Sequence, residues 1–90
     1  MKKRTKLEVI RDILLVLKSN EKAKITKIIY KANLSNNSIK PYLDDLMKNK
    51  LIEQVIVKEQ RLFKITSKGE EFLGEFNKIK IFSESYGLGE

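Results

Sequence analysis

Asn37, Lys40, Asp44 and Lys48 recur at intervals of three and four residues, which places them on one face of a helix. The chemistry they offer is recognition. The Asn37 amide can make paired bonds to an adenine edge, and the Lys40 ammonium can meet a guanine edge or a phosphate. Ser35, Asn36 and Ser38 stand where such a helix would begin, and phosphates bind well at helix N-termini. For Ser35 and Ser38, capping the helix outweighs a base contact. Catalysis finds less support. The chain has neither histidine nor cysteine, so the commonest general base, the commonest metal ligand and thiolate nucleophiles are all missing. Asp44-Asp45 and Glu70-Glu71 are adjacent carboxylates, but neighbours on a helix point about 100° apart and do not converge on one proton or metal. Tyr30 and Tyr42 are expected to pack at the edge of the core rather than stack on bases. No enzyme, cofactor or metal is expected.

The charge is unevenly placed. Residues 1–66 hold 16 Lys/Arg against 7 Asp/Glu, a balance of +9, whereas residues 67–90 carry −2. A basic body facing a polyanion, with an acidic final segment turned to another task, accounts for that asymmetry. A lysine-rich composition habit could raise the total but would not divide it. Three basic regions lie beside the helix face already named. Lys27 and Lys31 occupy the segment before it. Lys58 and Arg61 flank a charged tip, where they could reach a minor groove or phosphates, or guard the exposed edges of a small sheet. Lys2, Lys3 and Arg4 form a basic start that could track a phosphate backbone or be merely solvated. Asp44 and Asp45 oppose deep insertion of the helix's C-terminal half into a polyanion, so contact should concentrate in its first two turns, and Glu59 weakens the same reading of the charged tip.

Hydrophobic spacing supplies the elements. Leu7, Ile10, Ile13, Leu14 and Leu17 predict a first helix over about 6–18 behind a Thr5 cap, with Val9, Leu15 and Val16 widening its stripe. Ala23-Lys24-Ile25 reads as an extended link, a short third strand beside a hairpin. Thr26 would cap a second helix over 27–32, with Ile28 and Ile29 inward. Asn33-Leu34-Ser35 is a turn, since Asn accepts the left-handed conformation that ends a helix and Leu34 can plug the core. The third helix runs to about Asn49 on Ile39, Leu43 and Leu46, flanked by Tyr42 and Met47. Pro41 complicates its start. With Ser35 as cap the proline removes an interior bond, and with Ser38 it falls in the tolerant first turn. A start at 35–37 with distorted first turns is the reading adopted. Strands over 52–57 and 61–65 form a hairpin, after which Thr66 or Ser67 caps a fourth helix carrying Phe72, Phe76, Ile79 and Phe82.

The result is one domain of α+β class, mostly α. It is a winged helix-turn-helix with a three-helix core, a two-stranded β wing and a C-terminal helix. Residues 1–5 form a basic arm, 6–66 the domain, 67–84 the final helix and 85–90 a frayed tail. The basic start resembles a signal-peptide n-region, but Glu8, Arg11 and Asp12 interrupt the apolar segment after it. No apolar run is long enough to span a bilayer. A cytoplasmic, nucleoid-associated protein without membrane contact is therefore expected.

Three segments resemble an archaeal winged-helix family of transcription regulators and small chromatin-associated proteins. They are Y-K-A-N-L-S at 30–35, Y-L-D-D-L-M-K-N-K-L-I at 42–52 and F-K-I-T-S-K-G-E-E-F-L at 63–73. The resemblance implies binding of double-stranded DNA without catalysis, commonly as a homodimer. In the chromatin members a long C-terminal helix pairs as an antiparallel coiled coil. This chain departs there, with Gly74 interrupting the final helix. The apolar positions Phe72, Phe76, Ile79 and Phe82 nevertheless run past what a three-helix core can cover, so that helix is expected to pair across a two-fold axis. The rival expectation is a winged helix that docks a partner protein, favoured by Asp44 and Glu59.

Overall fold

The structure, a computed structural model, describes residues 4–85 and Gly87. In chain order the elements are α1 (Lys6–Ser19), α2 (Ile25–Lys31), α3 (Asn36–Lys48), β1 (Ile52–Val57), β2 (Gln60–Ile65) and α4 (Ser67–Ser85). The expected frayed tail falls largely outside the described residues.

Thr5 starts α1 through a reciprocal cap. Its hydroxyl accepts from the Glu8 N–H at 3.1 Å, and its own N–H donates to Glu8 Oε1 at 2.8 Å. The bonds from the Thr5 backbone and hydroxyl, with Arg11 nearby, hold the Glu8 carboxyl below the usual carboxylate range. The half of the cap made by the Glu8 carboxylate is therefore fully present above that range and weakens as pH falls through the lowered value, while the bond to the Thr5 hydroxyl is independent of pH. Val9, Ile10, Ile13, Leu14, Val16 and Leu17 are buried, as the spacing requires. Leu7 is 54% exposed and Leu15 43%, so two positions assigned to the buried stripe leave it. Leu7 shares Leu14's side of the helix but stands a full heptad before it, beyond the end of the core. Leu15 is turned about 100° from Leu14.

Ala23 pairs with Phe63 of β2 through two backbone bonds, N–H to O at 2.9 Å and O from N–H at 2.8 Å, an isolated bridge where a short third strand was expected, while Ile25 of that link is helical. Helix α2 begins directly after this bridge, two residues earlier than expected. Its N-cap is Lys24, with no side-chain bond, and Thr26 lies inside the first turn. The bridge fixes the chain, and the Lys24 carbonyl already accepts from Lys27 and Ile28. A Thr26 cap is thereby pre-empted.

Helix α2 ends in a left-handed cap. Asn33 has φ +56°, its N–H reaches the Tyr30 carbonyl, and the Leu34 N–H reaches that of Ile29 at 2.9 Å. Ser35 then caps α3, its hydroxyl accepting from the Ser38 N–H while the Ser38 hydroxyl accepts from the Ser35 N–H, both at 3.2 Å. Pro41 consequently lies inside α3, where the Asn37 carbonyl loses its donor. The helix persists because Ile39, Leu43 and Leu46 are buried below it. It closes in the same way as α2, with Lys50 at φ +61° and the Leu51 N–H bonded to the Leu46 carbonyl at 2.9 Å.

Strands β1 and β2 are antiparallel, with Ile52 opposite Ile65 and Val57 opposite Gln60. The second strand starts one residue earlier than expected, because the connection is a two-residue turn at Lys58-Glu59. Both turn residues have positive φ, +51° and +65°. Ile52, Phe63 and Leu73 join the helices in the core, which contains no buried polar or charged residue among those described. No helix in the described residues is long and apolar enough to cross a membrane.

Thr66, not Ser67, caps α4, its hydroxyl accepting from the Gly69 N–H at 3.0 Å. A Cβ on Gly69 would collide with the Leu51 carbonyl oxygen and stand 2.6 Å from Ile65 Cγ1. Gly74 does not interrupt α4 as expected. The helix passes through it without a break, and nothing lies within 4 Å of where its Cβ would be. The two glycines therefore respond oppositely to alanine. Gly69→Ala should destabilise by roughly 1–3 kcal/mol through overpacking. Gly74→Ala should stabilise by about 0.5–1 kcal/mol through helix propensity. Denaturant unfolding of both variants measures this, and equal shifts of the same sign would contradict it.

Candidate nucleic-acid interface

Helix α3 and the wing enclose a groove of about 360 Å³. Its apolar floor is Ile25, Ile39, Leu43, Met47 and Phe63, and its polar rim is Asn36, Lys40, Asp44, Gln54 and Arg61. The rim arises from two periodicities. Asn36, Lys40 and Asp44 are four residues apart on α3. Gln54 and Ile56 of β1 share a sheet face with Phe63 and Arg61, their partners across the ladder. The structure thus brings Asn36, Lys40 and Arg61 to one place. Asn37 and Lys48 are exposed on α3 outside this rim, and Lys58 is exposed at the wing tip.

Lys27 and Lys31 are exposed on α2, but they border a separate depression against α1, with Asp12, Leu15 and Asn20. The hydroxyls of Ser35 and Ser38 are occupied by the cap they build together. Arg4 is engaged inside the domain: its guanidinium donates to the carbonyls of Ala32 and Asn33 and to Asp12, each at 2.7 Å. Lys2 and Lys3 lie outside the described residues. Asp45, counted from sequence as an acidic group at the interface, turns toward α1 and pairs with Lys6 at 3.3 Å. Asp44 alone remains on the groove.

Some features of this surface were not anticipated. Gln54 and Ile25 line the groove, and Gln54 could have been found from strand alternation once Phe63 was known to face the core. Tyr30 was expected at the core edge but is 79% exposed, with Lys31 Nζ 6.0 Å from its ring centroid. Helix α2 is short, and its buried side is Ile28 with part of Ile29, which leaves Tyr30 on the outer face. Tyr42 is half-buried against the core.

The apolar residues assigned to α4 pairing divide. Phe72 packs on the domain's own core, and Phe76 is half-buried with the Arg11 guanidinium 5.3 Å from its ring centroid. Ile79 is 65% exposed. The Phe82 side chain lies outside those described.

The order of elements, the helix-turn-helix pair and the two-stranded wing agree with a family profile described as winged helix-turn-helix, which matches residues 3–84. The chain belongs to the winged helix-turn-helix family. A relative, the uncharacterized protein MJ0287 of Methanocaldococcus jannaschii, is 34% identical over 88 residues, spanning 98% of this chain and 76% of its own. Among solved structures, Sso10a-2, a DNA-binding protein from Sulfolobus solfataricus, superposes with a TM-score of 0.76 at 28% identity, covering 93% of this chain and 87% of that one. The transcriptional repressor CouR, solved bound to a 23-mer DNA duplex, superposes with a TM-score of 0.77 at 20% identity. That match covers 98% of this chain but 63% of CouR, and it speaks to the fold alone.

Within this winged-helix domain the wing tip carries a local conformational cost. Two-residue hairpin turns with both φ positive favour Asn-Gly, whereas here the residues are Lys58 and Glu59. Replacing them with Asn and Gly should stabilise the domain by about 1 kcal/mol, since Gly lacks the Cβ that left-handed backbone disfavours and the short Asn side chain tolerates it through local hydrogen bonds. A rise in Tm for the double variant supports the assigned turn, and a fall would show that the tip adopts another conformation.

Proposed function

We propose that this chain binds double-stranded DNA as a small regulator or chromatin-associated protein, with α3 in the major groove and the wing beside it. The observation that carries this reading is the convergence of Lys40, Asn36 and Arg61 on one groove, on a body with a charge balance of +9. The DNA-binding designation of Sso10a-2 supports it. Helix α3 presents its first two turns, where Asn36, Asn37 and Lys40 stand, and Asp44 limits how deeply the remainder approaches phosphate. Lys48, Lys58, Lys27 and Lys31 add phosphate contacts that fix orientation without reading sequence. In this reading the protein works at the nucleoid and needs no cofactor.

The same proposal includes a homodimer through α4. Nineteen residues at the helical rise span about 28 Å, and beyond Phe76 the helix carries Ile79 and Ile81, 65% and 64% exposed. Ile79 continues the Phe72 and Phe76 stripe past the core, while Ile81 lies about 200° around the helix, and an exposed apolar stripe favours a covering surface. A second copy of α4 supplies one by symmetry and sets two α3 helices on one duplex. Asp44 on the groove and Glu59 at the wing tip favour a second reading, in which the same surface docks a protein.

Salt separates the two readings. Duplex affinity should fall linearly in log–log form, with a slope of about −0.9 for each phosphate contact. Lys40→Ala and Asn37→Ala should weaken binding with little change in Tm, whereas Ile39→Ala, at 1% exposure, should destabilise by roughly 2–5 kcal/mol. No binding to any duplex at low salt would remove the DNA reading and leave the protein-docking one. Sedimentation at micromolar concentration tests the dimer. The parent should sediment at twice the 10.5 kDa chain mass and Ile79→Glu should approach the monomer. A monomeric parent, or a variant as dimeric as the parent, would exclude pairing through this helix.

A further inference from the structure

Among the described residues Asp12 is the one carboxylate held by two arginines. Arg4 Nη1 donates to its Oδ2 at 2.7 Å, while Arg11 Nε and Nη2 reach its Oδ1 at 3.0 and 2.8 Å. The three side chains are only 21–31% exposed, so water competes with these bonds less than on an open surface. Each arginine has a second attachment. Arg4 donates to the carbonyls of Ala32 and Asn33, which lie past the end of α2 where intrahelical donors run out. Arg11 lays its guanidinium over Phe76 of α4. A continuous path therefore runs from the turn that sets α3 to the helix assigned to pairing: Asn33, Arg4, Asp12, Arg11, Phe76. The guanidinium is a rigid planar fork, so displacing Asp12 displaces both attachments together.

We propose that Asp12 is a positioning residue for DNA recognition, tying the helix-turn-helix turn to α4 so that the seating of α4 sets the orientation of α3. The proposal rests on the DNA-binding reading above. It makes a prediction opposite in sign to simple electrostatics. Asp12→Asn removes a negative charge and releases two cations, which by Coulomb attraction alone would tighten binding to a polyanion. Loss of the tie should instead weaken it.

The experiment uses the full chain and a random-sequence duplex at fixed salt, well below each variant's Tm. Asp12→Asn should bind about fivefold more weakly than the parent, the scale on which residues contacting neither ligand alter coupling. The salt slope should be unchanged, because no phosphate contact is lost. Binding equal to or tighter than the parent would overturn the proposal.

A double-mutant cycle reads the path itself. Arg4→Ala and Phe76→Leu alter side chains joined through Arg11 and Asp12. Their combined loss of affinity should be at least about threefold smaller than the product of the single losses, and the discrepancy should vanish in the Asp12→Asn background. Losses that simply multiply would overturn the proposal. If the parent binds no duplex, the DNA reading has failed on the parent alone. The same cycle is then read in Tm, where additive shifts reject the path and non-additive shifts retain it.

Discussion

The carbonyl oxygen of Leu51 is the point at which α3, the wing and α4 are held together. It accepts the Thr66 N–H at 3.1 Å, the Thr66 hydroxyl lies 3.0 Å away, and the backbone of Gly69 passes directly against it. Leu51 itself is placed by the left-handed cap that ends α3, where its N–H reaches the Leu46 carbonyl. Thr66 follows β2 and starts α4 by accepting from the Gly69 N–H. One short sequence, Thr66 to Gly69, therefore closes the hairpin against the end of α3 and fixes where the last helix departs. The groove between α3 and the wing has its shape because the two walls are joined at this base. A residue with a Cβ at 69 would push α4 away from Leu51 and Ile65.

What could be read in the sequence was what neighbouring residues decide. The Thr5 cap, the turn at Asn33, the stripe Ile39/Leu43/Leu46 and the presence of a hairpin each depend on residues a few positions apart. The apolar spacing also indicated three helices and a wing in order. What could not be read was decided across the chain. Arg4 looked like part of a basic arm because its partners, Ala32 and Asn33, are 28 and 29 positions away. Asp45 looked like an interface acid because its Lys6 partner lies on α1. Leu7 obeyed the helical period, and no local pattern reveals that the core ends a turn short of it. Tyr30 fits a core edge by residue type, but α2 is too short to bury more than one side.

These long-range pairings change how the net charge should be understood. Among the described residues Arg4 and Arg11 share Asp12, Lys6 meets Asp45, and Lys64 meets Glu53 across the strands at 3.2 Å. Asp12 and Asp45 are thus drawn to the α1 side and Glu53 along the sheet, while Asp44 stays on the groove. No described carboxylate forms an ion pair with Lys40, Lys48, Lys58 or Arg61. The internal pairs do not alter the +9 balance of residues 1–66, but they decide where it is expressed. On α3 and the wing, Lys40, Lys48, Lys58 and Arg61 thus stand outside these pairs, beside Asp44 and Glu59. Exposed ion pairs contribute little to stability, so these pairs matter mainly for which cations stay available.

Pro41 shows how the same balance bears on α3. A proline inside a helix costs on the order of 3 kcal/mol, and at this position it leaves the Asn37 carbonyl without its donor. Two features offset that cost. The cap shared by Ser35 and Ser38 secures the turn before the proline, and Ile39, Leu43 and Leu46, each at most 3% exposed, anchor the helix from below. The missing bond then lies beside Asn37 and Lys40, within the two turns where the basic and amide side chains collect. An exposed carbonyl there must be satisfied by water or by whatever docks. Stability of α3 therefore rests on its buried face and its ends, while in its first turn the Asn37 carbonyl lacks the i+4 donor that a residue other than proline at 41 would supply.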